Sequence, residues 1–335
     1  MRPFDAAKPM FARHETFHPR YGWFRKAYRF AATDPYIFGR DDAPVQIGVG
    51  KNMVRAIRFW GLAAKLIEEM EGTRARRAAG LIPSSMGEAL FGESGWDRYM
   101  EDPGTLWLLH WLLLAPPSLL PVWWIAFNEF PAVEFAEDDL VGAVNAQLEV
   151  ISEWNTPHPS SVKKDVGAML RTYAPAERTG RNRIDDILDC PLRELNLVGR
   201  SVGTHRYRFA LGSKPSLPSA ILGYAALDYC ARTLAGGNTI TLGRLAHEPG
   251  APGKVFKLTE GEFLSAIEPL VQATNAIALT TSTGAVQLSW SAEPSKIATG
   301  ILDRYYGSIV SGPRADRAVR DDTQPSLAVL ALGNK

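Results

Sequence analysis

His14, Glu15 and His18 fall within one short string, His-Glu-Thr-Phe-His, that formally matches H-E-x-x-H. On a helix this spacing puts both imidazoles on one face, where they bind zinc with the glutamate as base. Pro19 follows at once and disfavours helical geometry at His18, which weakens the zinc-peptidase reading. Two readings stay open: His14, Glu15 and His18 act in phosphodiester chemistry, or they make structural hydrogen bonds. The flanking Arg13 and Arg20 suit the first, because strand cleavage needs a water-activating group, charge stabilisation at phosphate and usually a divalent cation, Mg2+ or Mn2+. Spacing does not identify the metal ligands. Asp97, Glu101 and Asp102 form one acidic cluster and Asp185, Asp186 and Asp189 another, but acidic residues also favour helix amino termini without any metal. No P-loop or G-x-G-x-x-G follows a credible strand, so no nucleotide cofactor is expected. His110, inside an apolar stretch, reads as a hydrogen-bonded core residue.

These residues need elements to hold them. Residues 11–30 interleave aromatic with basic residues and histidines, a pattern that suits either a packed segment or a nucleic-acid face where arginine meets phosphate and rings stack. Residues 41–69 then read as a helix-turn-helix. Gly48, Val49 and Gly50 make a tight turn, and Lys51 and Asn52 open a helix whose apolar stripe includes Val54, Ile57 and Leu62. Lys51, Arg55 and Arg58 share another side of that helix, a shape suited to a major groove; a solvated basic surface helix is the plain alternative. A wing follows: Leu66 and Ile67 start a strand, Arg74, Arg76 and Arg77 sit in the loop, and residues 80–83 return. Ser84 or Ser85 caps the next helix, with Glu88 placed for a capping box.

Residues 105–127 are strongly apolar but broken by Pro116 and Pro117, which predicts two buried helices around a corner and no membrane span. A helix over 136–154 leads to a link at 156–159. The helix after it exposes Lys163, Lys164 and Arg171, making it a second DNA-facing candidate. A hairpin turning at Gly203, a helix over 217–234, and a third helix-plus-hairpin set over 240–290 complete the pattern. The expected fold is therefore mainly α with short β-hairpins, arranged as tandem winged-helix units. The expected domains are 1–155, with an aromatic-rich helical core, 156–307, winged-helix-like, and a mobile tail over 308–335.

The 335 residues carry a formal net charge of only +1, unevenly spread. Residues 1–80 hold 15 Lys and Arg against 8 Asp and Glu, whereas 81–150 hold one against 11. A basic amino-terminal part beside an acidic, apolar middle points to a polyanion-binding face on a neutralising scaffold. Cys190 and Cys230 stand alone, as expected of packed thiols in a reducing cytosol, and the first residues lack the apolar run of an export signal, so a cytoplasmic location is expected.

The strings FARHETFHPRYGWFRKAY, GVGKNMVRAIRFW, MGEALFG followed by GWDRYMEDPGTLWLLHWLLL, and WWIAFNEF resemble a bacterial domain-of-unknown-function family encoded among DNA phosphorothioation and phage-defence genes. The resemblance spans about residues 11–230 and is most specific in GVGKNMVRAIRFW. Within the family it is nearest the nicking B subunits of Ssp-type systems. It implies a DNA-binding subunit that nicks one strand of double-stranded DNA to allow sulfur insertion, beside a cysteine desulfurase and nucleotide-using partners. A homodimer is a further expected assembly. The alternative is a non-catalytic winged-helix protein that recruits the machinery or regulates its genes.

Overall fold

The computed structural model describes residues 1–71, 79–175, 190–201, 203–282 and 284–310. Arg74, Arg76, Arg77, the Asp185–Asp186–Asp189 cluster and the tail from 311 lie outside them.

The chain is mostly helical with small antiparallel sheets. After the one-turn α1 (Pro3–Ala6) come α2 (Trp23–Thr33), α3 (Ala43–Ile47) and α4 (Lys51–Ala63), then the hairpin β1 (Ile67–Glu69) and β2 (Leu81–Pro83). Helix α4 starts at Lys51 as expected. Gly48 terminates α3 in the left-handed region at φ 73°, and extended Gly50 precedes the next helix. Ser84 Oγ accepts from the Gly87 amide at 3.0 Å and caps α5 (Ser85–Phe91). Glu88 does not close the expected capping box, because with Ser84 as the cap the N3 position is Gly87; the Glu88 carboxylate accepts instead from the Tyr28 hydroxyl at 2.7 Å.

At the centre stand α6 (Pro103–Leu114) and α7 (Pro121–Asn128), joined through the Pro116–Pro117 corner. Their faces are apolar all round, and a helix of that kind must be covered on every side. Residues 104–114 are indeed all buried. Trp107, Trp111, Trp123 and Trp124 are each at most 1 % exposed.

Beyond α7 the order helix, strand, helix, helix, strand, strand occurs twice. It first runs α7, β3 (Glu134–Ala136), α8 (Glu137–Val150), α9 (Pro159–Tyr173), β4 (Val198–Arg200) and β5 (Arg206–Phe209), with sheet order β3-β5-β4. It then runs α10 (Ser219–Thr233), β6 (Thr239–Thr241), α11 (Leu242–His247), α13 (Glu260–Ala273), β7 (Ile277–Ser282) and β8 (Ala285–Trp290), with α12 (Pro252–Phe256) inserted and sheet order β6-β8-β7. Helix α14 (Pro294–Val310) packs on α10. The amino-terminal set α2, α3, α4, β1, β2 has the same order without the first strand.

One hydrophobic cluster runs from Ala6 to Tyr306. The expected boundary at 155 is crossed by sheet and core alike: Phe135 pairs with Tyr207 in the β3–β5 ladder. Trp96 stacks on Tyr306 at 4.9 Å between ring centres. His110 satisfies both ring nitrogens across the same boundary, Nδ1 with the Tyr173 hydroxyl at 2.7 Å and Nε2 with the Val255 carbonyl at 3.0 Å. The carbonyl can only accept, so Nε2 carries the proton and Nδ1 accepts from Tyr173. Burial lowers the His110 pKa to about 4, which keeps the ring neutral. No helix among the described residues is long and apolar enough to cross a membrane.

Candidate nucleic-acid interface

Residues 12–18 form an irregular turn between α4 and α9. Ala12, Glu15 and Thr16 all have positive φ, at 55°, 52° and 66°. H-E-x-x-H is therefore not carried on a helix, and its two histidines do not share a face.

The three expected catalytic side chains have three different environments. His14 turns inward and is 1 % exposed, with Phe59, Trp60 and Trp123 around its ring at 5.5 to 6.2 Å between centres. Its Nε2 donates to Asp165 Oδ1 of α9 at 2.7 Å, the same oxygen that accepts from the Ala12 amide at 2.9 Å. Glu15 pairs with Arg55 of α4, Oε1 to Nη1 at 3.6 Å. His18 is half-buried near Arg193, Arg171 and Arg20; burial first, then those charges, lowers its pKa to about 3. A general base must reach the water it deprotonates. In this conformation His14 is 1 % exposed, Glu15 faces Arg55 and His18 lies among arginines.

What the turn does is hold two helices together. Trp60 of α4 donates through Nε1 to the Phe17 carbonyl at 3.1 Å. Arg171 of α9 donates to the Thr16 carbonyl at 3.0 Å. With the His14–Asp165 and Glu15–Arg55 contacts, two side chains from each of α4 and α9 are tied to the same seven-residue turn. Both helices occupy the third-helix position of their sets.

The basic residues expected to meet DNA are distributed on and beside these helices. Arg13 on the turn, Lys51, Asn52 and Arg55 on α4, and Lys163 and Lys164 on α9 are exposed. Arg58 is half-buried and faces Glu69 at 4.0 Å. Lys163 lies 3.7 Å from Asp138, a surface pair. Arg20 packs its guanidinium over Phe17 and Trp23, at 5.9 and 5.7 Å from the ring centres. Arg76 lies outside the described residues.

Sequence reasoning missed Asp165 and Arg171 as partners of the turn, since no local pattern links positions so far apart in the chain. The Asp97–Glu101–Asp102 cluster supplies no metal site, and the Asp185–Asp186–Asp189 cluster lies outside the described residues. Among the described residues no group of three or more His, Cys, Asp or Glu is placed to hold a metal ion. The Asp97 carboxylate accepts from the Glu101 and Asp102 amides at 2.9 and 3.0 Å and from Thr105 Oγ1 at 2.6 Å, and Asp102 accepts from Gly104 and Tyr305. These carboxylates cap a turn and the start of α6. The expected Mg2+ or Mn2+ thus finds no fitting donor set among the described residues.

No curated protein matches the sequence. Two solved structures do. "SspB crystal structure" shares 39% identity over 96% of both chains with a TM-score of 0.85. "Magnesium ion-bound SspB crystal structure" shares 39% identity over 96% of this chain and 95% of that one, with a TM-score of 0.86. Residues 11–306 match the model of the protein family of unknown function DUF4007, and with that span and those relatives the chain belongs to the DUF4007 family.

Proposed function

We propose that this chain is the DNA-binding subunit of a DNA phosphorothioation system, gripping double-stranded DNA with α4 and α9 as the reading helices of two winged-helix units. The observation that carries the reading is the turn at 12–18, clasped by both helices so that their exposed Lys and Arg are held in fixed relation. A rigid pair of cationic helices suits a duplex, whose phosphates dominate affinity while base edges give specificity. Placement within phosphorothioation rests on the resemblance carried by GVGKNMVRAIRFW and on the likeness to SspB. The partners on this reading are a cysteine desulfurase and nucleotide-using subunits, with a second copy of the chain as a further partner.

Nicking is the second reading, favoured by the existence of a magnesium-bound relative. Supercoiled plasmid incubated with purified protein and Mg2+ or Mn2+ separates the two. Retarded plasmid that stays supercoiled supports binding alone, and open-circle product supports the nickase. Failure to bind plasmid or a short duplex at low salt sinks both.

A further inference from the structure

The aromatic and basic stretch at 11–30 is only half used by the duplex reading. Its second half forms α2, and on the side of that helix nearest α5 Arg25 and Arg29, one turn apart, meet Arg98 around a cavity of about 250 Å3. Tyr28 and Phe91 wall the cavity, and Glu93 lines it too. Beside it the Tyr99 ring is 58% exposed, with the Arg25 guanidinium 4.4 Å from its centre. Tyr21, 51% exposed, donates from its hydroxyl to the Met100 carbonyl at 3.1 Å, which brings a second open ring to the same segment.

Two features set this surface apart. Among the described residues none of Arg25, Arg29 and Arg98 has an ion-pair partner, although acidic side chains are near. Glu88 is taken by the Tyr28 hydroxyl, and Asp97 by two amides and Thr105. Secondly, two half-exposed tyrosine rings stand beside guanidiniums whose contacts here are with rings, Arg25 over Tyr99 and Arg29 over Phe30 at 4.9 Å, and not with carboxylates. Duplex DNA offers phosphates but keeps its base faces stacked inside. An unpaired strand offers both, and base stacking on aromatic side chains beside cations is how proteins hold one.

We infer that Tyr21, Arg25, Arg29, Arg98 and Tyr99 form a binding surface for a single DNA strand, separate from the duplex-binding helices. The rings take unstacked bases and the three arginines take the phosphates between them. The inference rests on the proposed DNA-binding function and adds a second form of DNA to it.

The test is fluorescence anisotropy of the full chain with two labelled probes, an oligo-dT of about 12 nucleotides, near the usual single-strand site size, and a duplex of about 20 base pairs, two helical turns. The wild type binds both. Tyr99→Ala, and separately Arg29→Ala with Arg98→Ala, weaken oligo-dT binding by about tenfold and leave duplex affinity unchanged, while Tyr99→Phe retains oligo-dT binding. Lys51→Ala with Arg55→Ala does the converse. The inference is overturned if the wild type does not bind oligo-dT, if the Arg29/Arg98 variant binds it unchanged, or if polyglutamate displaces it as well as unlabelled oligo-dT does. Loss of duplex binding with oligo-dT binding retained retires the duplex reading and leaves this one standing.

Discussion

His14 and Asp165, 151 residues apart in sequence, share a buried hydrogen bond of 2.7 Å in which one carboxylate oxygen also receives the Ala12 amide. This pair ties the amino-terminal turn to α9. Removing one member leaves the other polar group buried without its partner. Asp165→Ala is therefore expected to destabilise the protein by about 3 kcal/mol, read as a lower urea midpoint, and to weaken duplex binding by loosening the turn. Asp165→Asn keeps an acceptor for Ala12 and costs less. A midpoint unchanged in Asp165→Ala would show that the pair holds nothing together.

Salt dependence tests the interface itself. Lys51 and Arg55 on α4 and Lys163 and Lys164 on α9 are exposed, so truncating either pair leaves the core intact. Each cation that meets a phosphate contributes about one unit to the slope of log affinity against log salt. Lys51→Ala with Arg55→Ala is expected to lower the slope by about 2, and Lys163→Ala with Lys164→Ala similarly. An unchanged slope in either double variant removes that helix from the interface.

His110 contributes to acid stability. Its folded pKa of about 4 lies below the ordinary histidine value of 6.5, so the unfolded chain binds the extra proton first as pH falls. The stability contributed by neutral His110 is full above pH 6.5 and is lost progressively between there and about 4. His110→Ala leaves the Tyr173 hydroxyl and Val255 carbonyl without it and lowers stability at every pH. It should also flatten the acid limb of urea midpoints measured between those pH values.

Lysines 65 and 257 act in the opposite range. Lys65 donates to the Leu112 and Ala115 carbonyls at the end of α6, and Lys257 donates to the Phe127 carbonyl at the end of α7 at 2.7 Å. Burial lowers the pKa of each to about 7 from 10.5. Between those values the unfolded chain holds more protons than the folded one, so stability rises as pH increases through this window. Lys257→Met is expected to flatten part of that rise in urea midpoints; the same rise as wild type would mean Lys257 stays charged when buried.

Gly87 explains part of the MGEALFG string. A Cβ there would sit 2.0 Å from the Leu66 carbonyl oxygen, which belongs to backbone and cannot swing away. Gly87→Ala is expected to cost about 2 kcal/mol by overpacking, seen as a lower melting temperature. A neutral substitution would mean that α5 can shift off the Leu66 strand entry.

Much of the order of the elements was legible in the sequence. The glycine turn before Lys51 set the start of α4, and the proline pair separated two wholly apolar helices, α6 and α7. Ser84 was one of two readable caps. All of these signals act over one or two helical turns, through backbone conformation, side-chain caps and the spacing of apolar residues. The third strands of the two larger sheets, β3 and β6, were not legible, because three residues carry no usable alternation.

For the site, sequence alone determined which side chains were available: the cations of α4 and α9, and a His-Glu-x-x-His string that Pro19 kept from being a helical zinc motif. Tertiary structure decided what they do. It buried His14 against Asp165, gave Glu15 to Arg55 and set His18 among arginines, so that the string clasps two helices. Pairings of that kind depend on which surfaces the whole core brings together, and no spacing within a few residues encodes a partner 151 positions away.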